Sequence, residues 1–124
     1  MTGADTVAAF GAVAGRLRKL IFGLNGRPDV SEVLTRTDLT EDPPAVEWFV
    51  DAELTAGEAL SWRLLAYWRD ATWTIEADIS RVQRAGSITE LRFDDRTATD
   101  GDLYDALLKT ADDLVAQMTF GVAD

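Results

Sequence analysis

The side chains able to do chemistry in this chain of 124 residues are almost all carboxylates: 22 Asp and Glu stand beside 12 Lys and Arg, with no His and no Cys. Zinc sites of the ordinary kind, thiolate or Ser-His nucleophiles, haem attachment and imidazole acid–base work near neutral pH are thereby excluded. What remains is oxygen chemistry. Paired carboxylates at Asp94-Asp95, at Asp112-Asp113 and at Asp100 with Asp102 are of the type used in glycoside hydrolysis or to hold magnesium. A carboxylate-based or metal-assisted hydrolase would need a cleft gathering Glu90, Asp94 and Asp95. The run from Asp94 to Asp102 superficially suggests a calcium loop. Aligning Gly101 with the invariant glycine of an EF-hand puts Arg96, Ala98 and Leu107 where three ligands belong, so that match fails. Neither a G-x-x-x-x-G-K-[ST] loop nor a G-x-G-x-x-G fingerprint occurs, and no cofactor is expected.

The elements that would position these groups are legible from periodicity. Val7, Phe10, Val13, Leu17, Leu20, Ile21 and Leu24 recur at spacings of three and four, predicting an amphipathic helix over about 5–24. Asp5 or Thr6 is placed to cap it, and Arg27-Pro28 stops it. Gly11 and Gly15 form a G-x-x-x-G on this helix, expected to allow close packing against the core. A poorly alternating segment over 30–37 predicts an edge strand. Period-two alternation then predicts strands over 45–54, 60–69 and 72–82, with a last strand over 87–93. The short turns between them force antiparallel neighbours. Thr99 with Asp102, in a capping-box-like arrangement, opens a second helix over about 100–118, whose apolar stripe is Leu103, Leu107, Ala111, Leu114, Val115 and Met118, widened by Tyr104 and Leu108. The whole reads as one α+β domain over 1–124: a four- to five-stranded antiparallel meander with both helices on one face, a two-layer sandwich.

In that arrangement Trp48, Trp62, Trp68 and Trp73 face the helices, and their indole nitrogens should find partners inside or at the sheet edge. The opposite face stays open. It would display Glu47, Phe49, Asp51 and Glu53 from one strand, Arg63, Leu65, Tyr67 and Arg69 from the next, and Thr74, Glu76, Asp78 and Ser80 from the third. Cross-strand charge pairing on a solvated surface is one reading of this array. The other is a protein-binding patch with Phe49, Leu65 and Tyr67 as anchors and Glu47, Asp51, Glu53, Glu76 and Asp78 as an acidic surround. Two such faces packing together would make a homodimer. Asp112 and Asp113, opposite the helix stripe, are expected to be solvated.

The net charge of -10 fits a basic protein partner and disfavours nucleic acid and anionic membranes. Asp5 stands where a signal peptide needs positive charge, and Arg16, Arg18 and Lys19 interrupt the first apolar stretch, so the expected location is the cytoplasm.

The run Val46-Glu47-Trp48-Phe49-Val50-Asp51, then Trp68 to Asp78, then Phe93 to Leu107 with Thr99 and Leu103 at the last helix start, resembles the TriTu-type immunity proteins of bacterial polymorphic toxin systems. The likeness spans about 45–117. It implies a small non-enzymatic protein that binds a toxin domain and blocks it. An acidic chaperone or adaptor dimer of the secretion type is the second binding alternative, although such chaperones commonly interrupt their strands with a helix and none is predicted here.

Overall fold

The computed structural model describes residues 3–41 and 43–116; the side chains of residues 3–7, 91 and 92 lie outside that description. In chain order the elements are α1 (Gly3–Asn25), β1 (Val30–Glu41), β2 (Pro44–Leu54), β3 (Ala59–Arg69), β4 (Thr72–Val82), β5 (Ile88–Ala98), a 3-10 turn (Asp100–Asp102) and α2 (Leu103–Ala116). The strands form one sheet in sequential order β1-β2-β3-β4-β5, every neighbour antiparallel. This is the α+β two-layer arrangement that the alternation predicts, with α1 and α2 packed on each other and on the same sheet face. Asp5 and Thr6, expected to cap α1, instead lie inside its first turn, since the helix begins at Gly3; Met118 and the side chain of Val7 fall outside what can be described.

The turns show why the meander closes where it does. Thr55-Ala56-Gly57 and Arg84-Ala85-Gly86 are three-residue hairpin loops of the same design, with Gly57 at φ 88 and Gly86 at φ 92 supplying the left-handed residue that such loops require. The β3–β4 connection is tighter. Asp70 and Ala71, at φ 53 and 64, both take the left-handed conformation of a mirror-image turn, whose twist matches the strands it joins. An aspartate tolerates that conformation; an alanine carries a Cβ strain of about 1 kcal/mol there.

One row of alternating residues on each central strand is buried: Val46, Trp48, Val50 and Ala52 on β2; Leu60, Trp62, Leu64 and Ala66 on β3; Trp73, Ile75, Ala77 and Ile79 on β4. From above they are closed by Ala9, Val13, Leu17, Leu20 and Leu24 of α1 and by Leu103, Leu107, Ala111 and Leu114 of α2. Phe10 meets Trp48 and Trp73 edge-on at ring centroid distances of 5.6 and 6.5 Å, and Trp68 meets Trp73, its direct cross-strand neighbour, at 5.6 Å. The Trp73 indole N–H donates to an Asp100 carboxylate oxygen at 3.2 Å. The Trp62 indole N–H, contrary to expectation, is buried with no hydrogen-bond partner among the described residues; it lies mid-sheet, where the ladder uses the neighbouring backbone groups.

Several local expectations are corrected. Gly11 and Gly15 are not close-packing residues, since a Cβ built on either meets nothing within 4 Å; they lie on the outer side of α1, away from the stripe that faces the sheet. Thr99 does not cap a helical N–H with its side chain. Its hydroxyl donates to the Asp102 carboxylate at 3.1 Å, while its carbonyl accepts the Asp102 N–H at 3.1 Å, closing a 3-10 turn in place of the capping box. Tyr104 is 41% exposed and leaves the stripe of α2. β1 and β5 run on to Glu41 and Ala98, beyond the predicted ends at 37 and 93, because ladder pairing with β2 and β4 carries polar residues that lack alternation of their own. Asp112 is exposed and Asp113 half-buried, and neither is simply solvated: Arg16 of α1 pairs with Asp112 at 2.7 Å and Arg96 of β5 with Asp113 at 3.5 Å, tying α2 to both neighbours.

Candidate partner-binding face

The face of the sheet opposite the helices is built from the alternate residues that the core leaves over, and the ladder register arranges them in rows across the strands. One row reads Asp38, Glu47, Leu65, Glu76, Asp95. Beside it runs Arg36, Phe49, Arg63, Asp78, Phe93. Thr40, Ala45, Tyr67, Thr74 and Thr97 flank the first row; Leu34, Asp51, Ser61, Ser80 and Glu90 flank the second. Leu65 therefore stands in the middle of a line of four carboxylates. Phe49 lies diagonally from Leu65, and Tyr67 is the next residue of β3 on that face, so the three apolar groups named from the sequence do share one patch.

At the centre sits Arg63. Its guanidinium donates to Asp78, directly opposite, at 3.1 Å, and makes a short hydrogen bond with Glu47 on the other side. All three groups are partly buried, with side-chain exposures of 29, 24 and 17% for Arg63, Glu47 and Asp78. Burial by itself disfavours the charged guanidinium, but the hydrogen bonds to the two carboxylates and their charges outweigh it and raise the Arg63 pKa above its ordinary value. Arg63 is thus a fixed cation whose donors are engaged by its own sheet. The Arg36 guanidinium lies over the Phe49 ring, 4.3 Å from its centroid, a contact worth about 0.5–1 kcal/mol at an exposed site. Arg36 also pairs with Asp38 at 3.0 Å. Arg69 lies 3.7 Å from Asp70 at the hairpin tip, both strongly exposed.

The charge pairing and binding readings of the array each describe part of it. Glu47 and Asp78 belong to the Arg63 clamp, whereas Asp51, Glu53 and Glu76 make no ion pair among the described residues. Glu53 lies four residues along β2 from Phe49, about 13 Å, and is farther still from Tyr67. It faces Ala59 while Tyr67 faces Ala45, eight residues along the strand or about 27 Å away. It is a rim residue at the far end of the face. Sequence reasoning missed the contributions of the outer strands: Arg36, Asp38 and Leu34 from β1, Glu90, Phe93 and Asp95 from β5. Their signal was present as the alternation Leu34-Arg36-Asp38 and Phe93-Asp95, but the intervening residues are polar too, so neither face of these edges stands out.

Counted over the described residues, the face carries nine carboxylates, from Glu32, Asp38, Glu47, Asp51, Glu53, Glu76, Asp78, Glu90 and Asp95, against three guanidinium groups, from Arg36, Arg63 and Arg69. The carboxylates suggested for a hydrolase do not converge. Asp94 pairs with Ala77 on the helix-covered side and Asp95 with Glu76 on the open side, because consecutive residues of a strand point to opposite faces. Among the described residues no cluster of three or more Asp or Glu is placed to hold a metal ion, and no helix is long and apolar enough to cross a membrane. No family model, curated protein or solved structure matches the chain.

Proposed function

We propose that this chain is a binding protein that captures a basic protein partner on its open sheet face, with Phe49, Leu65 and Tyr67 as anchors and Glu47, Asp51, Glu76 and Asp78 around them. The observation that carries this reading is the excess of nine carboxylates over three guanidinium groups around an apolar patch that, among the described residues, no element covers. Charge of that density speeds encounter with a cationic surface and discriminates against anionic ones. The resemblance to TriTu-type immunity proteins supports a toxin domain as the partner, since nucleases and other domains acting on nucleic acid are commonly basic. The same charge weighs against a homodimer made by two of these faces, which would bring two acidic arrays together. The uninterrupted meander gives no added support to the secretion-chaperone alternative.

The test is capture of a basic partner by wild type and by two variants. Phe49→Ala with Tyr67→Ala removes the anchors, and Asp51→Lys with Glu76→Lys reverses unpaired charge. Both are expected to lower affinity at least about 10-fold, the second with a reduced salt dependence. Affinity unchanged in both, with circular dichroism showing the fold intact, eliminates this surface.

A further inference from the structure

Beyond the open face, the geometry points to a second interface: two copies of this chain join edge to edge through β1, in antiparallel register with Thr37 on the two-fold axis, making one continuous ten-stranded sheet. β1 is an outer strand of twelve residues, nearly all exposed, and in an antiparallel ladder every second residue turns its N–H and C=O away from its one neighbour. Such an edge is a template for another strand unless something blocks it. Beyond the irregularity at Ser31, β1 contains no proline and no bulge.

Three features of β1 fit a second copy better than an arbitrary strand. With Thr37 facing Thr37, Arg36 of each copy faces Asp38 of the other on the open side, so both charges are matched twice by symmetry. An axis at Arg36 or at Asp38 opposes like charges, and one at Thr35 opposes Asp38 to Glu32. An axis at Leu34 matches Glu32 with Arg36 but runs the ladder into the irregularity at Ser31 and leaves Leu39 outside it. The second feature is Leu39, on the helix-covered side yet 64% exposed. In the Thr37 register it faces Thr35 of the other copy. The third is what lies beside Thr35: a groove of about 180 Å³ between α1 and β1, lined by Leu17, Ile21, Thr35, Thr37, Trp48 and Val50. It exists because small threonines occupy the positions of β1 beneath α1. Leu39 of one copy thus reaches the groove of the other, and the reverse holds by symmetry. The dimer leaves both open faces on the same side of the joined sheet, doubling the acidic surface instead of covering it.

Sedimentation equilibrium over a range of micromolar concentrations is expected to show a mass twice the 13.6 kDa of the chain. Arg36→Asp and Asp38→Arg each place like charges opposite one another and should weaken the dimer about 10-fold or more, while an equimolar mixture of the two restores it as a heterodimer with opposite charges facing. Because the chain lacks cysteine, register is read directly. Thr37→Cys should form a disulfide-linked dimer on mild oxidation, since residues facing each other across an axis fall within disulfide reach, and Thr35→Cys should not. A Leu65→Ala, Tyr67→Ala variant, which removes two open-face anchors on β3 and leaves Arg36, its Phe49 stack and the groove untouched, is expected to dimerise normally, separating the two ideas. A wild type that stays monomeric, a dimer indifferent to both charge variants, or equal cross-linking through Thr35→Cys would overturn the proposal.

Discussion

At the scale of the residue, Arg63 is the group whose environment does most to define the open face. A guanidinium left 29% exposed between two carboxylates that are less exposed still is neither a surface pair of little consequence nor a fully buried one. Replacing it with methionine, which keeps the stem, leaves Glu47 and Asp78 on either side of β3 without their shared counterion. Arg63→Met is expected to lower the unfolding free energy by about 1–2 kcal/mol, measured by urea titration. A loss below about 0.3 kcal/mol would mean that solvent replaces the guanidinium without cost. The pairing of Arg63 with the acidic strands was legible from the sequence, because β2, β3 and β4 alternate cleanly and their turns fix the register. The Arg36–Phe49 stack was not, since it depends on a strand whose own residues give no preference for either face.

At the scale of the element, α1 shows how a pattern can be read correctly and its exceptions wrongly. The stripe Phe10, Val13, Leu17, Leu20, Ile21 and Leu24 faces the core as its period requires. Gly11 and Gly15 invited a close-packing explanation, yet each has open space where a Cβ would stand. The motif reports spacing, and spacing alone does not say which side of a helix meets a neighbour. Glycine in such a position costs backbone entropy and returns no contact. Gly11→Ala and Gly15→Ala should therefore each stabilise the protein by about 0.5–1 kcal/mol, seen as a rise in Tm of about 2–4 °C. A fall in Tm would imply a neighbour against that surface. The same reasoning explains the outer strands: β2 to β4 declare themselves by burying every second residue, whereas β1 and β5 have one partner each and are extended mainly by its ladder. The capping box at Thr99 failed for a related reason, since the residue types permit a 3-10 turn as readily as a capped α-helix.

For the whole molecule, charge and architecture act against each other. A net charge of -10, gathered largely on one side of a single sheet, is a self-repulsion that salt should relieve, while ion pairs such as Arg63 with Glu47 and Asp78 are weakened by the same salt. With 22 carboxylates against 12 cations, repulsion dominates. Tm is expected to rise by a few degrees between about 0.01 and about 0.15 M ionic strength, whereas partner capture by the open face weakens over the same range. A Tm that falls with salt would show that the ion pairs outweigh the net charge.

The position of the indoles has a practical corollary. Trp48, Trp62 and Trp73 are sealed in one interior layer and Trp68 leans on Trp73, so every strong fluorophore of the chain lies beneath the helices and none on the acidic side. Intrinsic emission is thereby a gauge of interior integrity, nearly blind to what docks outside; a label on the exposed surface is needed to see the docking itself.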